Sequence, residues 1–170
     1  MKALVDRLAS YAEYHRDKRN IATHFIGIPM ILVGTQATLA KIGIGPINVA
    51  VGGTALATRY YRELDPSYGA AMAAVLGASC AIGTAIAALP LPAWAATAGG
   101  LLLGGWTLQM IGHAFEGRKP AFLDDLRAIL DGPLFLVAET AFALGLSPEL
   151  RAEVEHRAGP TRWGRLHSAA

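Results

Sequence analysis

The stretch Gly69-Ala70-Ala71-Met72-Ala73-Ala74-Val75-Leu76-Gly77-Ala78-Ser79-Cys80-Ala81-Ile82-Gly83-Thr84-Ala85-Ile86-Ala87-Ala88-Leu89 decides the fold, because no Asp, Glu, Lys or Arg interrupts it. A helix needs about 20 such residues to cross roughly 30 Å of hydrocarbon. The charge-free run continues from there to Gly112, and residues 21–40 and 42–58 are equally free of these four residue types. Only 16% of the 170 residues are charged, with mean hydropathy +0.36. A soluble domain is nearer a quarter charged, so the deficit lies in the apolar runs. Four apolar segments follow, at about 22–40, 45–60, 69–89 and 93–112. Short connections at 41–46 and 90–92 make neighbours antiparallel, and Ser67 is expected to cap the third segment. Pro29 is expected to kink the first span or leave it shallow.

The flanks complete the architecture. Leu4, Leu8, Tyr11 and His15 fall on one face of an amphipathic N-terminal helix suited to a membrane interface. Residues 121–130 read as a polar interfacial helix that Gly132-Pro133 interrupts. Residues 133–146 are apolar but short and hold Glu139, so they read as a short or re-entrant helix. The expected fold is all-α: an integral membrane bundle of about four transmembrane helices with these two additions. Residues 1–146 make one membrane domain, and 147–170 a polar basic tail with Arg151, Arg157, Arg162 and Arg165, in which His156 and His167 are solvent-exposed. Glycines 52, 53, 77, 83, 99, 100, 104 and 105 supply small faces for close helix contact.

Charge orients the bundle. One set of ends carries Arg16, Lys18, Arg19, Arg59, Arg62, Arg118, Lys119 and Arg127, whereas the opposite loops carry only Lys41. The positive-inside rule puts the charged ends in the cytoplasm. An even number of crossings between His24 and His113 returns the chain to that face. The start of the chain is not a secretory signal, since charges recur before any apolar core can form. The lone Cys80 excludes an intramolecular disulfide or a thiolate cluster. A net charge of +2, with basic residues dispersed among acids, gives no support to nucleic-acid binding.

Two polar blocks flank the apolar middle. The first is Tyr14-His15-Arg16-Asp17-Lys18-Arg19-Asn20-Ile21-Ala22-Thr23-His24. The second is Gln109-Met110-Ile111-Gly112-His113-Ala114-Phe115-Glu116-Gly117-Arg118-Lys119-Pro120-Ala121. Two or three imidazoles with one carboxylate form a recurring non-heme iron ligand set, and the same donors suit zinc. His15, His24, His113 and Glu116 are thus the candidate metal residues, with Tyr14, Asn20 and Gln109 as outer partners that fix a histidine tautomer. His15 and His24 are nine apart and need a turn around Asn20 to converge. His113 and Glu116 are three apart and share a helix face. Glu139 is costly inside an apolar segment unless it faces the interior or pairs with an arginine.

These residues resemble a known family. Tyr14-His15 followed by Asn20, His24 and Gly27-Ile28-Pro29, then Gln109 through His113 with Phe115-Glu116 and Lys119-Pro120-Ala121, is similar to the membrane 2-hydroxy fatty acid dioxygenases of the phytosphingosine-to-odd-chain-fatty-acid pathway. These occur in fungi, with many bacterial relatives. Leu123-Asp124 and Pro133 match later landmarks, and the likeness runs from about Leu4 to Leu146. The resemblance implies Fe(II) with dioxygen as co-substrate, and alpha-oxidation of a long-chain 2-hydroxy fatty acid to the acid one carbon shorter plus carbon dioxide. It implies His15, His24 and His113 as the iron and catalytic residues. Asp124 and Glu139 join the outer partners, and Arg19 and Lys119 serve the substrate carboxylate. The expected partners are that fatty acid and the lipid bilayer, with self-association left open. The expected location is a bacterial inner membrane, or the endoplasmic reticulum if eukaryotic. Two other readings compete: a non-enzymatic helical membrane protein of transport or assembly, and a zinc-dependent membrane hydrolase. Few polar residues lie mid-membrane (Thr35, Gln36, Ser79, Thr84 and Thr107), which favours interfacial catalysis over passage.

Overall fold

The computed structural model describes residues 2–44 and 47–164. Arg165 and His167 of the tail lie outside the described residues, as do Gly45 and Pro46 of the second segment. In chain order the described residues form α1 (Lys2–Ala12), α2 (Lys18–Leu39), an antiparallel hairpin of β1 (Gly43–Ile44) and β2 (Ile47–Asn48), then α3 (Val49–Leu64), α4 (Pro66–Ala87) and α5 (Leu91–Glu116). A short 3-10 turn (Ala121–Leu123), α6 (Ala128–Ala143) and α7 (Pro148–Ala158) complete them. Each of the four expected apolar segments is mainly helical, the second only from Val49 onward. Among the described residues α2 and α4 are long and apolar enough to cross a membrane. At 16 residues α3 is short for a crossing. α5 has the length, at 26 residues, but its glycines and tryptophans dilute its hydropathy. α6 and α7 reach the required hydropathy only as a pair, and that pair is bent by 119°.

Two local expectations are corrected. α4 is capped by Asp65, not Ser67: the Asp65 carboxylate accepts the amides of Ser67 (2.9 Å) and Tyr68 (3.0 Å), with Pro66 pre-set at the first helical position. α2 runs as one continuous helix through Pro29. Gly132-Pro133 does not interrupt a helix either; both residues sit inside α6 and are buried there. Burial of Leu134, Phe135 and Ala138 outweighs the local breaker, as tertiary packing commonly does.

The chain divides into two compact units, Met1–Ile26 with Leu108–Ala170, and Gly27–Thr107. In the first, α1 is amphipathic as expected, burying Leu4, Val5, Leu8, Ala9, Tyr11 and Ala12. α1 packs against both α6 and α7. Leu4 and Leu8 are almost fully covered, each contributing about 1.5–3 kcal/mol of burial. Arg7 reaches from α1 to Asp131 of α6 at 3.3 Å. The segment read as a polar tail carries α7, whose Leu150 and Val154 are buried and whose Arg157 pairs with Asp6 at 2.7 Å.

The second unit rests on close helix approach. α3 packs along α4, and a Cβ at Gly69 would overlap the Arg62 backbone. A Cβ at Gly83 would overlap Gln36 and Ala37, and one at Gly105 would press on Gly27 O and Ile31. Glycines 52, 53, 77, 99 and 100 meet nothing within 4 Å, so only part of the expected small-residue surface makes contact in this structure. Trp94 Nε1 donates to Ala37 O (3.0 Å) and Gln36 Nε2 to Thr54 Oγ1 (2.9 Å), giving two buried or part-buried donors acceptors.

Candidate metal centre

The first unit brings the two polar blocks together. α1 ends at Ala12, residues 13–17 turn the chain, and α2 restarts at Lys18, so the bend that joins His15 to His24 precedes Asn20 rather than lying at it. Asp17 sets the restart: its carboxylate accepts the Arg19 amide at 2.9 Å, as a helix cap does. Asn20 is fully buried in the first turn of α2, where its carbonyl accepts from His24 Nδ1 at 2.9 Å. α5 then approaches α2 at Gly112, where a Cβ would overlap Thr23 Oγ1 and Asn20 Oδ1. That contact seats the neighbouring His113 beside His24.

His15, His24 and His113 each offer a ring nitrogen, all three lying within 4.8 Å of one another. Ring centroids are separated by 4.6, 4.9 and 5.2 Å, with edge-on geometry throughout. All three rings are buried, His15 completely. Tyr11 stacks on His15 at 4.0 Å and 8°, and Phe135 of α6 covers it at 5.7 Å.

The tautomers follow from the backbone. His15 Nδ1 donates to Tyr11 O at 2.7 Å, and His24 Nδ1 donates to Asn20 O. A carbonyl only accepts, so each Nδ1 carries the proton and each Nε2 presents its lone pair. Those two Nε2 atoms face one another at 3.1 Å. Lone pairs at that distance repel unless a cation or a shared proton lies between them. Burial, and next the neighbouring His24, push His15 well below its ordinary value near 6.5, so it is neutral at pH 7. His113 Nδ1 is buried and has no hydrogen-bond partner among the described residues. Buried neutral imidazoles with free nitrogens converging on one point fit a divalent transition metal.

Glu116 does not join them. Its Oε2 accepts the amides of Arg16 (3.0 Å) and Asp17 (2.8 Å) and the Asn20 side-chain amide (3.1 Å), while Oε1 accepts from Arg162 at 3.3 Å. The carboxylate is occupied in holding the turn that carries His15, which is the physical reason it is absent from the nitrogen cluster. Glu139 pairs with Arg16 at 3.8 Å. Tyr14 donates its hydroxyl to Asp124 (2.9 Å) and lends only its carbonyl, to Asn20. Gln109 is buried one turn before His113, and its Nε2 lacks a hydrogen-bond partner among the described residues.

Arg19 and Lys119 are already committed. Arg19 grips Asp17 through two nitrogens at 3.1 and 2.7 Å, and Lys119 pairs with Asp124 at 2.5 Å. Sequence reasoning missed Asp17, Phe135 and Arg162. Tyr11 was visible, four residues before His15 on the same apolar face; Arg162 left no local signal.

A helical chain with a buried cluster of three imidazoles, two of them held in one tautomer by backbone carbonyls, belongs to the class of small α-helical proteins with a histidine cluster that could hold a metal ion. More narrowly, residues 1–144 match the family described as "Mpo1-like: 2-hydroxy-palmitic acid dioxygenase Mpo1-like", and the chain belongs to that family. It is 29% identical over 156 residues to "2-hydroxy-palmitic acid dioxygenase MPO1" of Saccharomyces cerevisiae, covering 90% of this chain and 88% of the relative. No solved structure matches. Membership supports a 2-hydroxy fatty acid dioxygenase and favours neither the transport nor the hydrolase reading.

Proposed function

We propose that this chain is an Fe(II)-dependent dioxygenase that converts a long-chain 2-hydroxy fatty acid to the acid one carbon shorter. One dioxygen is consumed, C1 leaves as carbon dioxide, C2 becomes the new carboxyl carbon, and one water forms. The observation that carries the reading is the pair of Nε2 lone pairs at 3.1 Å beside His113, in a member of this family.

His15, His24 and His113 would hold the iron. Fe(II), when bound, supplies the redox chemistry that lets dioxygen react with a carbon substrate. The chain's own residues do the rest. Tyr11 and Asn20 carbonyls fix the ring tautomers, and Glu116 holds the turn between the first two histidines. Tyr11 and Phe135 cover His15 and keep water from it. Arg19 and Lys119 lie at the exposed rim, and to hold an anionic head group each would exchange its carboxylate partner, Asp17 or Asp124, for that of the substrate. Residues 1–146 would form the catalytic domain, close to the family-matched span 1–144. The apolar helices would place it in a membrane, a bacterial inner membrane by composition, with the centre at the cytoplasmic face by its flanking charge.

The test is to purify the protein in detergent, load it with Fe(II), and incubate it with 2-hydroxypalmitic acid with and without air. Pentadecanoic acid formed only with both iron and oxygen is expected. A hydrolytic product, or turnover that persists without oxygen, would contradict the proposal.

A further inference from the structure

The chain beyond residues 1–144 does more than trail from the family-matched part. Residues 159–162 lie along the turn that carries His15. Arg162 N–H donates to Arg16 O at 2.8 Å, and Lys18 N–H donates to Arg162 O at 2.8 Å, a parallel bridge of Asp17 with Arg162. Gly159 O accepts from Arg16 Nη1 at 2.8 Å. The Arg162 guanidinium then reaches Glu116 Oε1, leaving Oε2 to the two amides of the turn and to Asn20. Among the described residues Arg162 is the cation that pairs with the Glu116 side chain, which is itself 3% exposed. A buried carboxylate is held in one orientation by such charge-assisted bonds. Without that cation Glu116 would be held through Oε2 alone, which loosens its grip on the Arg16 and Asp17 amides.

We propose that Arg162 is a positioning residue for the three-imidazole centre: it orients Glu116, and Glu116 in turn pins the Arg16–Asp17 backbone that presents His15. This rests on the metal reading above for its consequence, but not for its geometry. The effect on metal retention is about 10-fold, the lower end of what loss of an outer partner costs a metal site. α7 leads the chain to Arg162, yet the ion pairs of Arg157 on α7, with Asp6 of α1 and Glu153 of α7, involve none of the turn residues.

The experiment uses the full chain in detergent, with Arg162→Ala, Arg162→Lys, Arg157→Ala, Glu116→Ala and the Glu116→Ala/Arg162→Ala pair, checked for unchanged helicity. Two readouts are taken: amide exchange of the 13–20 segment in metal-free protein, and Co(II) affinity by chelator competition. Arg162→Ala is expected to speed exchange at Arg16 and Asp17 and weaken Co(II) binding about 10-fold, with partial recovery in Arg162→Lys and no change in Arg157→Ala. In the Glu116→Ala background the Arg162 change should add nothing further. Wild-type exchange in Arg162→Ala, or an equal additional loss without Glu116, overturns the proposal. Failure of the wild type to bind metal would instead sink the metal reading, with the exchange arm still deciding for or against the role of Arg162.

Discussion

The unit formed by Met1–Ile26 and Leu108–Ala170 buries charge, whereas among the described residues the unit Gly27–Thr107 buries no charged side chain, its buried polar groups being neutral ones such as those of Gln36, Asn48 and Ser79. In the first, Arg16, Asp17, Glu116 and Asp131 are all buried, and each is drawn into bonds or ion pairs with its neighbours. In the second, contact rests on glycines that let backbones approach, while Leu56, Ile82, Leu91 and Leu103 stay exposed, as lipid-facing residues would. The difference teaches where specificity resides. Apolar contact can tolerate exchange of one aliphatic residue for another, but a buried polar network loses a full bond whenever a partner is removed.

The largest effect should come from Glu116→Ala. It strips acceptors from two buried amides and the Asn20 side chain, a cost on the order of 3–5 kcal/mol, and it should abolish turnover. Thermal unfolding and activity measured together check this; a variant with wild-type activity would show that the network is dispensable. Next, Gly112→Val and Gly83→Val should separate the units. Both insert side chains where a Cβ already overlaps, costing about 1–3 kcal/mol, but only Gly112→Val should lower metal affinity per folded molecule. Equal metal affinity in the two variants would break the comparison.

The smallest effect concerns pH. Burial, first, and then Asp125 raise Asp131 from 3.8 to about 6, although Arg7 opposes this. The folded state then keeps the Asp131 proton to a higher pH than the unfolded chain does. Between about pH 4 and 6 the native state holds more protons, so this group's contribution to stability falls as pH rises through that window, by about 2 kcal/mol. Unfolding followed across pH 4–7 should show that decline in the wild type and a flatter profile in Asp131→Asn.

The parts of the molecule that could be read beforehand are those with local periodicity. α2, α4 and α5 follow the uncharged runs, α1 follows Leu4, Leu8 and Tyr11, and the meeting of His15, His24 and His113 follows from two polar blocks and the family likeness. The rest depends on contacts between distant residues. Glu116 looks like a ligand by its spacing from His113, but it accepts amides 99 and 100 positions away. The bend sits at 13–17 because that carboxylate and Asp17 hold it, which no window around Asn20 contains. α7 reads as a tail because its helix is mostly polar, and only Leu150 and Val154 find a surface on which to bury.

The most direct test is metal content after reconstitution with Fe(II) under anaerobic conditions, for the wild type and for His15→Ala, His24→Ala and His113→Ala, with helicity checked in each. About one ion per chain is expected in the wild type and almost none in any variant, with the helices intact. A histidine variant that retains wild-type iron and turns over substrate normally would contradict the three-imidazole centre.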